Sequence, residues 1–149
     1  DYAREVGALA IALSCNENAP QSAHADIAIE APTGAEILSG STRLKAGTAT
    51  KLILNMLSTG AMVQMGKVYK NLMVDVRATN AKLRDRSVRI VMQATGLKRA
   101  AAQALLEEAG GIKTAIVMHE ARCPREAAQR ALEAADGFVA RAIEVVARS

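Results

Sequence analysis

Two short apolar runs near the start of the chain predict buried strands. Residues 8–13 form a continuous apolar run followed by a polar segment, and residues 26–30 contain a second short run. Runs of this length between turn-forming residues are typical of strands in a parallel sheet. Pro20 and Ser22 predict a short helix across residues 23–25. Strand, helix and strand in so few residues predict an α/β unit.

A long helix is predicted after the loop at residues 31–40, with Ser41 or Thr42 as its N-cap. Apolar and small residues recur along one stripe, and further apolar residues lie close to it. Because this helix is apolar over much of its circumference, we expect it to be buried between a sheet and another subunit. Residues 68–76 predict irregular or short β structure. Thr79 is the predicted cap of a second helix, which Gly96 ends.

The last third of the chain contains an internal repeat with an offset of 26 residues. Each copy predicts a helix, a glycine-containing turn and a second helix, so residues 97–149 predict a small helical bundle after an α/β part at residues 1–96. The repeated positions are Arg99, Ala101, Ala102, Gln103, Leu106, Glu107, Ala109 and Gly111, which return as Arg125, Ala127, Ala128, Gln129, Leu132, Glu133, Ala135 and Gly137.

Composition narrows the class of protein. The 149 residues are half hydrophobic but only 2% aromatic, which suits close-packed helices in one domain, or in one domain with a small appendage, and excludes disorder. The net charge of +4 is concentrated in the segment that runs from Arg77 to Arg89. Because no aromatic cluster or known module surrounds that segment, we expect no nucleic-acid partner. A solvated helix face, or one that meets a phosphate or an acidic partner, explains the charge better.

The sequence also predicts no membrane partner, no metal and a cytoplasmic location. No apolar run reaches the length of a membrane span, and no signal peptide is visible. Cys15 and Cys123 fit no ligand spacing, so we interpret them as free thiols in a reducing compartment. His24 and His119 do not complete a zinc motif either.

Residues 34–51 carry the candidate chemistry. A glycine-containing loop brings the hydroxyls of Ser39, Ser41 and Thr42 to a predicted helix N-terminus, where an anion such as a sugar phosphate could bind. Arg43 could meet the phosphate, and Glu36 could transfer a proton or bind sugar hydroxyls. The simpler alternatives are an ordinary N-cap at Ser41 or Thr42, a surface ion pair at Arg43 and a solvated acid at Glu36.

This segment resembles the signature that N-acetylmuramic acid 6-phosphate etherases share with the glucokinase regulatory protein. Gly-Ala-Glu at residues 34–36, Gly-Ser-Thr-Arg-Leu-Lys at residues 40–45 and Lys51 meet every fixed position. Residues 66–76 and 78–83 are similar to the bacterial etherases in particular. Lys70 stands where the family pattern has Gly, so the turn there is expected to differ locally. Residues 110–118 resemble the ubiquitin-associated-like bundle at the end of the etherases.

The resemblance implies the C-terminal half of a sugar isomerase (SIS) type parallel three-layer sandwich, followed by that bundle, in a cytoplasmic homodimer. It implies a carbon–oxygen lyase that splits the D-lactyl ether of N-acetylmuramic acid 6-phosphate, without metal or organic cofactor, in peptidoglycan recycling. The family's acid and base glutamates are expected upstream of Asp1, so this chain alone is expected to be inactive. Glu36 is a catalytic candidate because related aminosugar isomerases carry a glutamate in a similar loop. Ser39, Ser41, Thr42 and Arg43 are the candidate substrate-binding residues.

Two alternatives remain open at this point. One is a sugar-phosphate-binding regulator without catalytic activity, and the other is an interaction module whose bundle binds a protein. Half of a sheet would leave an open edge and an uncovered apolar face. We therefore expect the isolated chain to be poorly soluble, or to associate with itself or with the other half.

Overall fold

The computed structural model describes residues 2–148 and contains two compact units that divide between Thr59 and Gly60, within one long helix. The elements in chain order are α1 (Tyr2–Glu5), β1 (Ile11–Ser14), a 3₁₀ helix (Pro20–His24), β2 (Ile27–Glu30), α2 (Lys45–Gln64), β3 (Val68–Tyr69), β4 (Leu72–Met73), α3 (Ala81–Thr95), α4 (Arg99–Ala109), α5 (Ile112–Glu120), α6 (Arg125–Ala134) and α7 (Val139–Ala147). The protein is therefore a mixed α/β chain that is mostly helical.

The first unit contains the predicted parallel strand pair. β1 and β2 align from Ile11 opposite Ile27 to Ser14 opposite Glu30, and the 3₁₀ helix connects them. β1 begins three residues later than the apolar run at residues 8–13 predicts. The Ala10 N–H donates to the Asp26 carboxylate at 2.9 Å. It therefore pairs with a side chain and not with the backbone of a neighbouring strand. The small parallel sheet confirms the α/β class at this coarse level.

Helix α2 is long, as predicted, but none of its residues is buried within the described chain. Leu52, Leu54 and Met56 are each more than half exposed, at 55%, 53% and 64%. The expected burial is therefore not provided by residues 2–148. Exposed leucine and methionine side chains on one helix form an apolar surface of the kind that proteins usually cover.

The second unit begins with the end of α2 and a short hairpin. β3 and β4 pair antiparallel, with Tyr69 opposite Leu72, where the sequence predicts irregular or short β structure. Lys70 is the first residue of the two-residue turn and has a left-handed φ of 53°. This is the position where the family resemblance predicts Gly, and the left-handed backbone agrees with that expectation because only Gly adopts this conformation without steric cost.

Helix α5 is the centre of the second unit. Ile116 and Val117 are fully buried, and α5 packs against α3, α4, α6 and α7. α3 begins one residue later than predicted, because the Asn80 side chain, and not Thr79, accepts the capping hydrogen bond from the Leu83 N–H. Gly96, with a φ of 76°, ends α3 as predicted.

The internal repeat folds as two helix pairs, as predicted. α4 and α5 form the first pair, and α6 and α7 form the second. Basic side chains join the pairs: Lys113 Nζ donates to the Gly137 carbonyl at 3.0 Å, and Arg125 Nη1 donates to the Glu108 carbonyl at 3.2 Å. The Glu108 carbonyl lies in the last turn of α4, where a positive charge is favourable, and the Gly137 carbonyl lies in the turn between α6 and α7. α3 lies in the same compact unit as these helices, and the family domain boundary near residue 96 stays a prediction.

Replacing Lys70 with Gly is expected to stabilise the protein. A residue with a Cβ is strained in the left-handed conformation of Lys70, and Gly removes that strain. The change also removes a cation–π contact in which Lys70 Nζ lies 5.1 Å from the centre of the Tyr69 ring. We expect the free energy of unfolding to rise by about 1 kcal/mol, measured by thermal or urea denaturation. Asn71→Gly, in the same turn at a residue outside the left-handed region, is the control and should not stabilise. An unchanged or lower stability of the Lys70→Gly variant would contradict this explanation.

Candidate functional site

The loop between β2 and α2 is held at one end by the Glu36 carboxylate. Its Oε2 accepts the Lys45 N–H and its Oε1 accepts the Ala46 N–H, both at 3.0 Å. The prediction that Ser41 or Thr42 caps α2 is therefore wrong. A carboxylate nine residues upstream of the helix takes that role, because one charged group can satisfy two N–H groups at once.

The remaining N–H groups of the first turn are also occupied. The Gly47 N–H donates to the Thr42 carbonyl at 2.8 Å, and the Thr48 N–H donates to the Leu44 carbonyl at 3.1 Å. A helix normally leaves its first four N–H groups for caps, water or ligands. In α2 all four have partners within the chain.

The electrostatic state of Glu36 follows from these contacts. Hydrogen bonds from the Ala46 and Lys45 N–H groups hold the pKa of the Glu36 carboxyl below its ordinary value, and the positive charge of Lys45 adds to the effect. Glu36 is therefore ionised at neutral pH. An ionised carboxylate carries no proton to donate.

The hydroxyl side chains of the loop have a different environment. Ser39 and Thr42 are exposed and Ser41 is half-buried. Within residues 2–148 their hydroxyls make no hydrogen bond, and the exposed Arg43 guanidinium makes no ion pair. The structure thus brings the four predicted binding residues together on one loop, with side chains available to a ligand.

The carboxyl end of β1 lies beside the same helix start. Cys15 Sγ is 3.5 Å from the Ala46 carbonyl oxygen and 3.5 Å from Thr50 Oγ1. Ligands of α/β proteins generally bind beyond the carboxyl ends of parallel strands. The loop after β1 and the loop before α2 therefore adjoin at the edge where such sites form.

Glu30 organises the loop after β1, a role that the sequence analysis missed. Its carboxylate accepts hydrogen bonds from Ser22 Oγ at 2.6 Å and from the N–H groups of Asn18 and Ala19 at 2.8 and 3.0 Å. The Ser22 bond, followed by the two backbone bonds, lowers the pKa of Glu30. The sequence feature that could have predicted this role is the position of Glu30, an acid at the carboxyl end of the apolar strand β2.

The basic segment of the second unit borders a groove of about 720 Å³. Arg77, Arg84 and Arg99 line it, together with Asp85 and Glu107. Asp85 pairs with Arg99 at 2.8 Å and with Arg89 at 2.7 Å, and these arginines, Arg99 foremost, lower the pKa of Asp85. Within the described residues, Asp85 thus compensates Arg89, while Arg77 and Arg84 make no ion pair.

Two further findings concern metals and membranes. Among residues 2–148, no cluster of three or more histidine, cysteine, aspartate or glutamate side chains could hold a metal ion. No helix in that range combines the length and the apolar character that a membrane crossing requires.

Comparison with known proteins identifies relatives of the whole chain. No family model matches the chain. The N-acetylmuramic acid 6-phosphate etherase of Oenococcus oeni is 58% identical over 96% of the chain and 48% of its own length. The etherase of a Geobacillus species is 51% identical over 96% of the chain and 49% of its own length. The etherase of Mycolicibacterium smegmatis is 54% identical over 95% of the chain and 48% of its own length.

By sequence, the chain is a homologue of the N-acetylmuramic acid 6-phosphate etherases, matched to their C-terminal half. The resemblance drawn from the signature is confirmed. The chain spans about half the length of the curated relatives it matches.

The two carboxylates predict an acid-sensitive first unit. Because the pKa values of Glu30 and Glu36 are lowered in the folded state, the stability they contribute is present above their ordinary value of 4.5 and is lost as the pH falls through the lower folded values. We expect the melting temperature, followed by circular dichroism, to fall steeply below about pH 4.5.

The double variant Glu30→Gln, Glu36→Gln should be less stable at pH 7 and should lose less stability on acidification. Glu17→Gln, at an exposed acid that accepts no hydrogen bond from residues 2–148, is the control and should retain the pH dependence of the original chain. Identical acid sensitivity in the double variant and the original would show that these two carboxylates do not control it.

Proposed function

We propose that this chain supplies the C-terminal half of an N-acetylmuramic acid 6-phosphate etherase. In this proposal the complete enzyme is a carbon–oxygen lyase that cleaves the D-lactyl ether to give N-acetylglucosamine 6-phosphate and D-lactate during peptidoglycan recycling in the cytoplasm. The observation that carries the proposal is the identity of 51–58% to etherases over 96% of the chain, which includes the hydroxyl-bearing loop.

The proposed chemistry is an elimination followed by addition of water. A base removes the proton next to the carbonyl carbon of the ring-opened sugar, lactate leaves, and water adds to the double bond. Such a reaction needs an acid and a base with different pKa values. Both oxygens of Glu36 already accept backbone hydrogen bonds, so we assign the acid and base roles to carboxylates in the other half of the enzyme.

Substrate binding is the role proposed for the loop of this chain. Ser39, Ser41 and Thr42 offer hydroxyls that can donate to and accept from sugar oxygens, and Arg43 offers a guanidinium that can meet a phosphate. Their lack of partners within residues 2–148 supports this role. No metal or organic cofactor is part of the proposal.

The proposed architecture is a partial SIS domain at residues 1–96 and a ubiquitin-associated-like bundle at residues 97–149. The parallel β1–β2 pair and the repeated helix pairs are compatible with it. We further propose that the rest of the enzyme and a second copy of it cover the apolar surface of α2. The exposure of Leu52, Leu54 and Met56 supports this assembly, because isolated domains seldom expose such a surface.

A chimaera tests the proposed function directly. The N-terminal half of the Oenococcus oeni etherase is joined to this chain, and D-lactate release from N-acetylmuramic acid 6-phosphate is measured with an enzyme-coupled assay. We expect release by the chimaera and by the complete relative, and none by this chain alone. The same chimaera with Thr42→Ala and Arg43→Ala should lose most of its release, because the loop loses a hydroxyl and its cation.

The controls distinguish a failed fold from a failed proposal. Size-exclusion chromatography and circular dichroism establish that the chimaera is folded. A folded chimaera that releases no lactate while the relative does would contradict the proposal. If that chimaera still bound the sugar phosphate, the regulatory alternative would replace the enzyme.

A further inference from the structure

Helix N-termini commonly bind anions, but the N–H groups at the start of α2 already donate hydrogen bonds within the chain. A free helix N-terminus binds phosphate through N–H groups that lack partners. Here the N–H groups of Lys45 and Ala46 donate to Glu36, and those of Gly47 and Thr48 donate to backbone carbonyls. A phosphate could reach these groups only by displacing a carboxylate that already carries the negative charge the helix end favours.

We infer that Glu36 is a positioning residue that occupies the anion position of α2, so that a ligand's phosphate does not bind at the helix N-terminus. The loop of residues 37–44 would then contact the ligand through the side chains of Ser39, Ser41, Thr42 and Arg43 alone. This second part rests on the proposed function. The first part concerns the chain by itself and can be tested without sugar or lactate.

The geometry explains why a carboxylate is needed at this position. Glu36 joins two backbone N–H groups with two oxygens, and it thereby closes the loop of residues 37–44 between its own side chain and the helix. Gln offers one acceptor oxygen and no charge, and its NH2 group would stand as a second donor where the other carboxylate oxygen accepts a backbone N–H. Asp carries the charge but is one methylene shorter, so it retains the charge without the full reach.

Hydrogen exchange followed by mass spectrometry measures this occupancy. The rate is followed in peptides that contain residues 43–48, with and without inorganic phosphate, at constant ionic strength maintained with chloride. In the original chain, we expect phosphate to leave the rate unchanged. In Glu36→Gln, we expect exchange in these peptides to be roughly tenfold faster, because one charge-assisted bond is lost. Phosphate should restore part of the protection by binding the freed N–H groups.

Two further variants make the result specific. Glu17→Gln removes the same charge from the same unit and should behave like the original chain. Because loss of a cap can disorder the start of α2, Glu36→Asp is the second variant. It should exchange faster than the original and remain insensitive to phosphate, since a negative charge still lies beside the helix end.

Several results would overturn the inference. One is slowed exchange of residues 43–48 by phosphate in the original chain, which would show that the helix end is open to anions. Another is unchanged exchange in Glu36→Gln, which would show that the carboxylate does not hold the helix start. A third is equal protection by phosphate in Glu36→Asp and Glu36→Gln. That result would show that the negative charge at residue 36 is not what excludes phosphate from the helix end. None of these results depends on whether the assembled protein is an etherase.

Discussion

The hydrogen bonds from the Lys45 and Ala46 N–H groups to the Glu36 carboxylate are the constraint on which the candidate site depends. They fix where α2 begins, and they fix the ends of the loop that carries the four binding candidates. They also settle the charge of Glu36, since a carboxylate that accepts two backbone bonds stays ionised at neutral pH. The same interaction therefore links the fold of this segment, its electrostatics and the chemistry it can perform.

The two compact units are held by different forces. The second unit has a close-packed apolar core in which Ile116 and Val117 of α5 are fully buried. The first unit has no fully buried residue in its described part, and its order comes from the parallel strand pair and from carboxylates that cap loops. Hydrogen bonds to charged groups are directional and order a loop precisely, whereas burial of apolar surface supplies most folding free energy. The first unit is thus the part for which a partner surface would matter most.

Structural features that depend on residues close together in the sequence were predictable. The parallel strands, the 26-residue repeat and the end of α3 at Gly96 follow from apolar periodicity and from glycine conformation. The start of α2 was not predictable from such rules, because the local hydroxyls at Ser41 and Thr42 compete with a carboxylate several residues upstream. The start of β1 shifted for a related reason, since Asp26 is distant in sequence and binds the Ala10 N–H. Side chains that reach backbone groups across a loop are the common cause.

The most direct test of this account is a crystal structure of an assembled etherase that contains this chain, with N-acetylglucosamine 6-phosphate bound. We predict that the ligand contacts side chains of Ser39, Ser41, Thr42 or Arg43, while Glu36 still accepts the Lys45 and Ala46 N–H groups. A ligand phosphate on those two N–H groups, with Glu36 displaced, would contradict the account at its centre.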